Sequence, residues 1–101
     1  MDGNLEKLIA KCKEFHERLG NDERMIIYVV SIGQVGIIKA SLEKNQIRCE
    51  SYHGKNEDMQ NARNFCKWKM GVVTKVMIGT SAFGVGIDYS SVGYVLCYGL
   101  S

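Results

Sequence analysis

A mostly parallel α/β sheet, sandwiched in three layers with helices on both faces, is the fold that this sequence predicts. Three observations carry it. Apolar, β-rich runs alternate with amphipathic stretches of helical length along the 101 residues, and strands joined through helices pair in parallel by right-handed crossovers. The first strand-like run, Met25-Ile26-Ile27-Tyr28-Val29-Val30, is apolar at every position, as an inner strand covered on both faces is. Proline is absent, so the 11 glycines punctuate the chain instead.

The elements follow in order. Leu5, Leu8, Ile9, Cys12, Phe15 and Leu19 recur at helical spacing, and Gly20-Asn21 stops that helix. The run from Met25 ends at Ser31, whose hydroxyl suits an N-cap because it accepts from an orphan N–H of the next turn. The second helix places Val35, Ile38 and Leu42 on one face and stops near Asn45. A short strand is expected over 47–52. A third helix is expected over 56–70, capped by Asn56, with Met59, Ala62, Phe65 and Cys66 as its buried stripe and Trp68 and Met70 extending it. Gly71 ends it. Strands are expected over 73–78 and 92–98, with a glycine-rich loop between them. Ligands of such sheets sit at the carboxyl ends of strands, which singles out the loops after Val30, Tyr52 and Ile78.

Composition bounds the class. One domain of this length buries about two-thirds of its unfolded surface. The 46% apolar and 24% charged content is that of a globular chain and excludes disorder. No apolar run reaches the roughly 18 residues a membrane span needs, and the N-terminus lacks a basic stretch leading into an apolar one. A soluble intracellular chain without a membrane partner is expected. The net charge of +2 does not by itself diagnose a nucleic-acid binder. Cysteines at 12, 49, 66 and 97 form no C-x-x-C pair, and His16 and His53 do not fall at metal-ligand spacing. No metal site and no disulfide scaffold are expected. Cys49, Cys66 and Cys97 lie in apolar segments and read as buried free thiols in a reducing compartment.

The loop Gly79-Thr80-Ser81-Ala82-Phe83-Gly84-Val85-Gly86-Ile87-Asp88 is the densest signal. Gly84 and Gly86 permit positive φ and close approach of a phosphate or sugar to the backbone. Thr80 offers a hydroxyl and an N–H to an anionic oxygen, and Asp88 a carboxylate to a sugar hydroxyl. A glycine-rich turn capped by Asp88 would satisfy the same spacing. The loop is not a P-loop, since Val85 stands where the lysine belongs, nor a dinucleotide fingerprint, since Tyr89 occupies the third glycine's place.

These ten residues resemble motif V of RecQ-like DNA helicases, A-T-x-A-F-G-M-G-I-D. Ile26-Ile27-Tyr28-Val29-Val30-Ser31 is similar to that family's motif IV strand, Tyr52-His53-Gly54 to its Y-H-A/G turn, and Val95-Leu96-Cys97-Tyr98-Gly99-Leu100 to the strand after motif V. The resemblance covers residues 24–101, a partial helicase C-terminal domain, with residues 1–23 as a helix leading into it. It implies a RecA-like fold and the second half of an ATP-driven, 3′-to-5′ DNA-unwinding motor. It further implies that Thr80, Ala82, Ser31 and His53 lie on the path of single-stranded or forked DNA. Gly86 and Asp88 would face a nucleotide held between this half and a first RecA-like domain. ATP with magnesium is the cofactor implied for the intact helicase, and a nucleus the location in a eukaryote.

The departures from the family are specific. The sequence shows no Walker A lysine, no D-E-x-H and no Q-x-x-G-R-x-G-R, so the sheet is expected to be incomplete at its C-terminal edge. Such a chain alone is expected to bind no nucleotide tightly and to be inactive as an ATPase. Ile32 and Asn61 stand where the family often has arginine. A helicase-derived, non-catalytic module binding DNA or a partner, a degenerate fragment, and an unrelated phosphate-binding α/β protein are the alternatives. Single residues have plainer readings too. His53 reads as structural or DNA-proximal rather than as a general base, and His16 as solvated. Trp68 reads as helix-packing core rather than a base-stacking platform, and Lys67 and Lys69 as a wet helix face.

Overall fold

The computed structural model describes residues 3–80, 83 and 92–98. Among these, three helices and four strands follow in the order α1 (Gly3–Arg18), β1 (Arg24–Val29), α2 (Ile32–Lys44), β2 (Cys49–Tyr52), α3 (Asp58–Met70), β3 (Val76–Gly79) and β4 (Val92–Tyr98). The strands form one sheet in the order β2-β3-β1-β4. Every pairing is parallel, as the alternation of elements requires.

Side chains alternate between the faces of β1, and two cores result. Met25, Ile27 and Val29 join Val76 and Ile78 of β3, Leu8 and Cys12 of α1, and Val35, Ile38 and Leu42 of α2. Ile26 meets Met77, Trp68 of α3 and Phe83 on the other side. Helices thus cover both faces, and β1 is the inner strand that its apolar run announces. On β4 a register shift between Arg24 and Met25 pairs Arg24 with Val92 but Met25 with Tyr94. The skipped Gly93 is a bulge: Val92 packs in the second core, whereas Tyr94, Leu96 and Tyr98 pack in the first. Phe15 of α1 stacks on Tyr94 with centroids 4.3 Å apart.

Several boundaries depart from the sequence pattern for identifiable reasons. β2 begins at Cys49 rather than 47 because Ile47 is used in ending α2. Its N–H donates to Leu42 O at 2.9 Å while that of Gln46 donates to Glu43 O at 2.9 Å, a Schellman pair with Gln46 at φ 65°. β3 begins at Val76, not 73. Val72 and Val73 are exposed on the climb from α3 back to the sheet, despite their β-branched character. Asn56 does not cap α3; the cap position is Glu57, which makes no side-chain cap bond.

The buried face of α3 is also not the expected one. Asn61, Asn64 and Trp68 point inward, whereas Met59, Ala62, Cys66 and Met70 are exposed. Polar side chains with assigned partners displaced the apolar stripe. Cys66 and Cys97 are therefore exposed, correcting the expectation of buried thiols, while Cys12 and Cys49 are buried. Trp68 is core, as expected, with Nε1 donating to Met25 O at 3.0 Å and Lys75 O at 3.1 Å. Lys67 and Lys69 are exposed.

Candidate functional site

The register places three chain exits side by side. Tyr52, Gly79 and Tyr28 are neighbours across β2, β3 and β1, so His53, Thr80 and the Val30-Ser31 step leave the same carboxyl edge of the sheet. With strands about 4.8 Å apart, Thr80 exits in the middle and the flanking segments leave on the order of 10 Å from each other.

Ser31 is the N-cap of α2, its Oγ accepting from the Gln34 N–H at 3.3 Å. Gln34 reaches back, its Oε1 accepting from the Val30 N–H at 3.0 Å, an arrangement close to a capping box. Ser31 is exposed, and its hydroxyl proton stays available to a ligand oxygen while its lone pair serves the helix.

His53 is held more completely. Its N–H donates to Asn61 Oδ1 at 3.3 Å, and its carbonyl accepts from Asn61 Nδ2 at 2.9 Å and from the Asn56 N–H at 3.2 Å. Its ring Nδ1 accepts from the Lys55 N–H at 3.2 Å. In the neutral imidazole the proton therefore sits on Nε2. Asn56 Nδ2 also donates to Asn61 Oδ1 at 2.9 Å. A second buried amide works one step earlier: Asn64 Nδ2 donates to Ser51 O at 2.7 Å. Burying polar side chains is tolerated because each finds its partners; among the described residues no buried side-chain N or O lacks one.

Thr80 is buried, 9% exposed. Its N–H donates to Tyr52 O at 3.3 Å and its carbonyl accepts from the Phe83 N–H at 3.0 Å. This turn drives the Phe83 ring into the second core. The ring lies 5.2 Å from that of Tyr52, 5.7 Å from Trp68, 6.1 Å from Tyr28 and 6.3 Å from Phe65. Gly79 makes room, since a Cβ there would lie 2.7 Å from Phe83 Cβ. Phe83 is thus an aromatic plug beside the exit of Thr80 from the sheet.

Ser31, His53 and Thr80 are brought to one edge. Ala82, Gly86 and Asp88 lie outside the described residues. The sequence marks Asn61 only as a departure from the family's arginine and Phe83 only as part of the loop, with no role at the site for either. A polar side chain on an inward helix face carries no periodicity signal, and only its i+7 spacing to Trp68 hinted at it.

Elsewhere, two concavities of about 540 and 320 Å³ open by the N-terminal ends of β2 and β3, far from this edge, and share Gln46, Arg48 and Val73. His16 borders the smaller one. It is half-buried rather than fully solvated, and burial, with Lys75 second, holds its imidazole below the usual value. Burial pushes the thiols of Cys12 and Cys49 up to about 12. Among the described residues, no three His, Cys, Asp or Glu side chains cluster to hold a metal, and no helix is long and apolar enough to cross a membrane.

Residues 5–101 match the family model described as the helicase conserved C-terminal domain. The chain is 30% identical over 98 residues to a putative ATP-dependent DNA helicase Q1 of Caenorhabditis briggsae, covering 97% of this chain and 16% of that protein. It is 34% identical over 77 residues to the ATP-dependent DNA helicase RecQ of Bacillus subtilis, covering 73% and 12% respectively. The chain thus spans less than a fifth of these curated relatives. In fold it is similar to the Hef helicase domain of Pyrococcus furiosus, with TM-score 0.82 at 19% identity over 96% of this chain and 20% of that one. The SWI2/SNF2 ATPase C-terminal domain of Sulfolobus solfataricus gives 0.65 at 17% identity over 92% and 50%.

Proposed function

The chain belongs to the helicase conserved C-terminal domain family, and from that premise we propose that it serves as the second RecA-like half of an ATP-dependent DNA helicase of RecQ type. The carboxyl edge of its sheet faces single-stranded DNA. The observation that carries this reading is the convergence of Ser31, His53 and Thr80 at the ends of three adjacent parallel strands. A hydroxyl, an imidazole N–H and main-chain amides are groups that grip a phosphate backbone without reading sequence. The names of these two curated relatives support a DNA substrate.

Gly86 and Asp88, with Ala82 beside the DNA, extend the proposal along the motif V loop, Asp88 accepting from a nucleotide ribose. ATP and magnesium would be held chiefly by a first RecA-like domain. This sequence carries no G-x-x-x-x-G-K, and its described residues offer no metal cluster. What this chain contributes is orientation: a rim of fixed donors for the phosphate backbone and one wall of the nucleotide cleft. Phosphoryl transfer needs the other wall as well. A nuclear location is proposed for a eukaryotic source.

Isothermal titration of the chain with a single-stranded oligothymidylate tests the rim. Binding that weakens steadily with added salt, as released counterions require, and that His53→Ala and Ser31→Ala both impair is the expected result. Absence of binding at low salt, or binding indifferent to both substitutions, overturns the reading.

A further inference from the structure

We propose that Asn61 is a positioning residue for His53, fixing its imidazole as an Nε2–H donor toward a DNA phosphate; the inference rests on the rim reading above. Asn61 is buried, 7% exposed, on the helix face it shares with Asn64 and Trp68. Its carboxamide takes both main-chain groups of His53 at once, accepting from the N–H at 3.3 Å and donating to the carbonyl at 2.9 Å. That two-point grip sets the direction in which the chain leaves β2.

The rest of the turn builds on it. Asn56 Nδ2 donates to Asn61 Oδ1 at 2.9 Å, and the Asn56 N–H reaches His53 O at 3.2 Å. This closes the turn that brings the Lys55 N–H to within 3.2 Å of His53 Nδ1. Each polar group of His53 except Nε2 is then engaged. A ring so held presents one tautomer and one donor, which spares the ordering cost when a ligand oxygen arrives. Asn64 supplies an internal control. It is equally buried, on the same helix, and ties the same strand, but through Ser51 O at 2.7 Å rather than His53.

The test compares Asn61→Ala with Asn64→Ala, reading the His53 ring nitrogens by ¹⁵N NMR and oligothymidylate affinity by titration. The wild-type ring should show the Nε2–H tautomer and shift on adding DNA. Asn61→Ala should mix the tautomers and weaken DNA about three- to tenfold, the scale of one lost hydrogen bond. His53→Ala should then add little in that background, and Asn64→Ala should leave the ring signals in place. Where Asn61→Ala fails to fold, Asn61→Asp keeps the acceptor, removes the donor and is read the same way. A ring signal unchanged by loss of Asn61, or changed equally by loss of Asn64, overturns the positioning role. A wild-type ring signal that DNA leaves unmoved overturns the rim reading instead, and with it the role given to Asn61.

Discussion

The guanidinium of Arg24 caps the end of α3 that carries Trp68: Nε donates to Trp68 O at 2.8 Å. Its Nη2 donates to Lys69 O at 2.9 Å and to Met70 O at 3.1 Å. The last carbonyls of a helix have no partner within it and carry its negative dipole end, so a cation from β1 answers both needs. Trp68 returns the link through Nε1 to Met25 O. Strand and helix are laced together at the base of the second core.

Removing this cap should be costly. Arg24→Ala is expected to lower the unfolding free energy by about 2–3 kcal/mol, and Arg24→Lys to recover only part, because an ammonium cannot span three carbonyls. Gly71, at φ 66°, closes the same helix, and a Cβ there would collide with the guanidinium. Gly71→Ala should therefore cost about 1–2 kcal/mol in the wild type and less in the Arg24→Ala background. Urea denaturation of the four proteins measures the coupling; simple additivity would disprove the shared cap.

Gln46 is the converse case. It holds the αL position that ends α2, with φ 65°, where glycine pays no steric cost. Gln46→Gly should raise stability by about 0.5–1 kcal/mol. A lower urea midpoint for that variant would show that the Gln46 side chain contributes more than its backbone costs.

Thiol chemistry should split the cysteines into pairs. Cys66 and Cys97 are exposed, while Cys12 and Cys49 are buried with pKa raised to about 12. A thiolate is the reactive species, so an aromatic disulfide reagent at pH 7.5 should titrate two thiols in the folded chain and four in urea. Four rapid equivalents without denaturant would contradict the burial.

Much of the fold was legible because hydrophobic burial leaves a periodic trace. β1 could be read as an inner strand from six successive apolar residues, and α2 from Ser31, Val35, Ile38 and Leu42. The buried face of α3 could not. Asn61 and Asn64 point inward to bind main-chain groups of β2, and such pairing becomes visible only once strand and helix are side by side. Likewise Val72 and Val73 carry strand composition, but pairing waits until Val76 reaches Met25 and Cys49. Of the candidate site, Ser31, His53 and Thr80 were nominated by the family resemblance and share one sheet edge, whereas the grip of Asn61 on His53 left no trace in the sequence.

Acid should weaken the fold through His16. Burial first and Lys75 second lower its pKa from the usual 6.5, against a smaller raising effect of Glu17. The unfolded chain then takes up the proton at higher pH than the folded chain. This contribution is complete above about pH 6.5 and is lost as pH falls through the folded value. Proton NMR should find the His16 midpoint below 6.5 and rising in Lys75→Ala. A midpoint insensitive to Lys75 would rule out the Coulomb contribution.

The chain should turn over no ATP by itself. Phosphoryl transfer asks for a phosphate cradle, a held magnesium, a placed water and a transition-state cation, and this sequence has no P-loop to begin with. A phosphate-release assay with magnesium and single-stranded DNA should match buffer. Turnover that Asp88→Ala abolishes would refute this, while recovery on adding a compatible first domain would support a shared cleft.

The seat of Phe83 gives the molecule its own optical gauge. Trp68 is the single tryptophan of the chain, and its indole meets the Phe83 ring edge-on at 5.7 Å. Any ligand that draws Phe83 off the sheet must lift that ring and let water reach the indole. The intrinsic emission of Trp68 should then shift to the red without a label, reading the seating of Phe83 from inside the core.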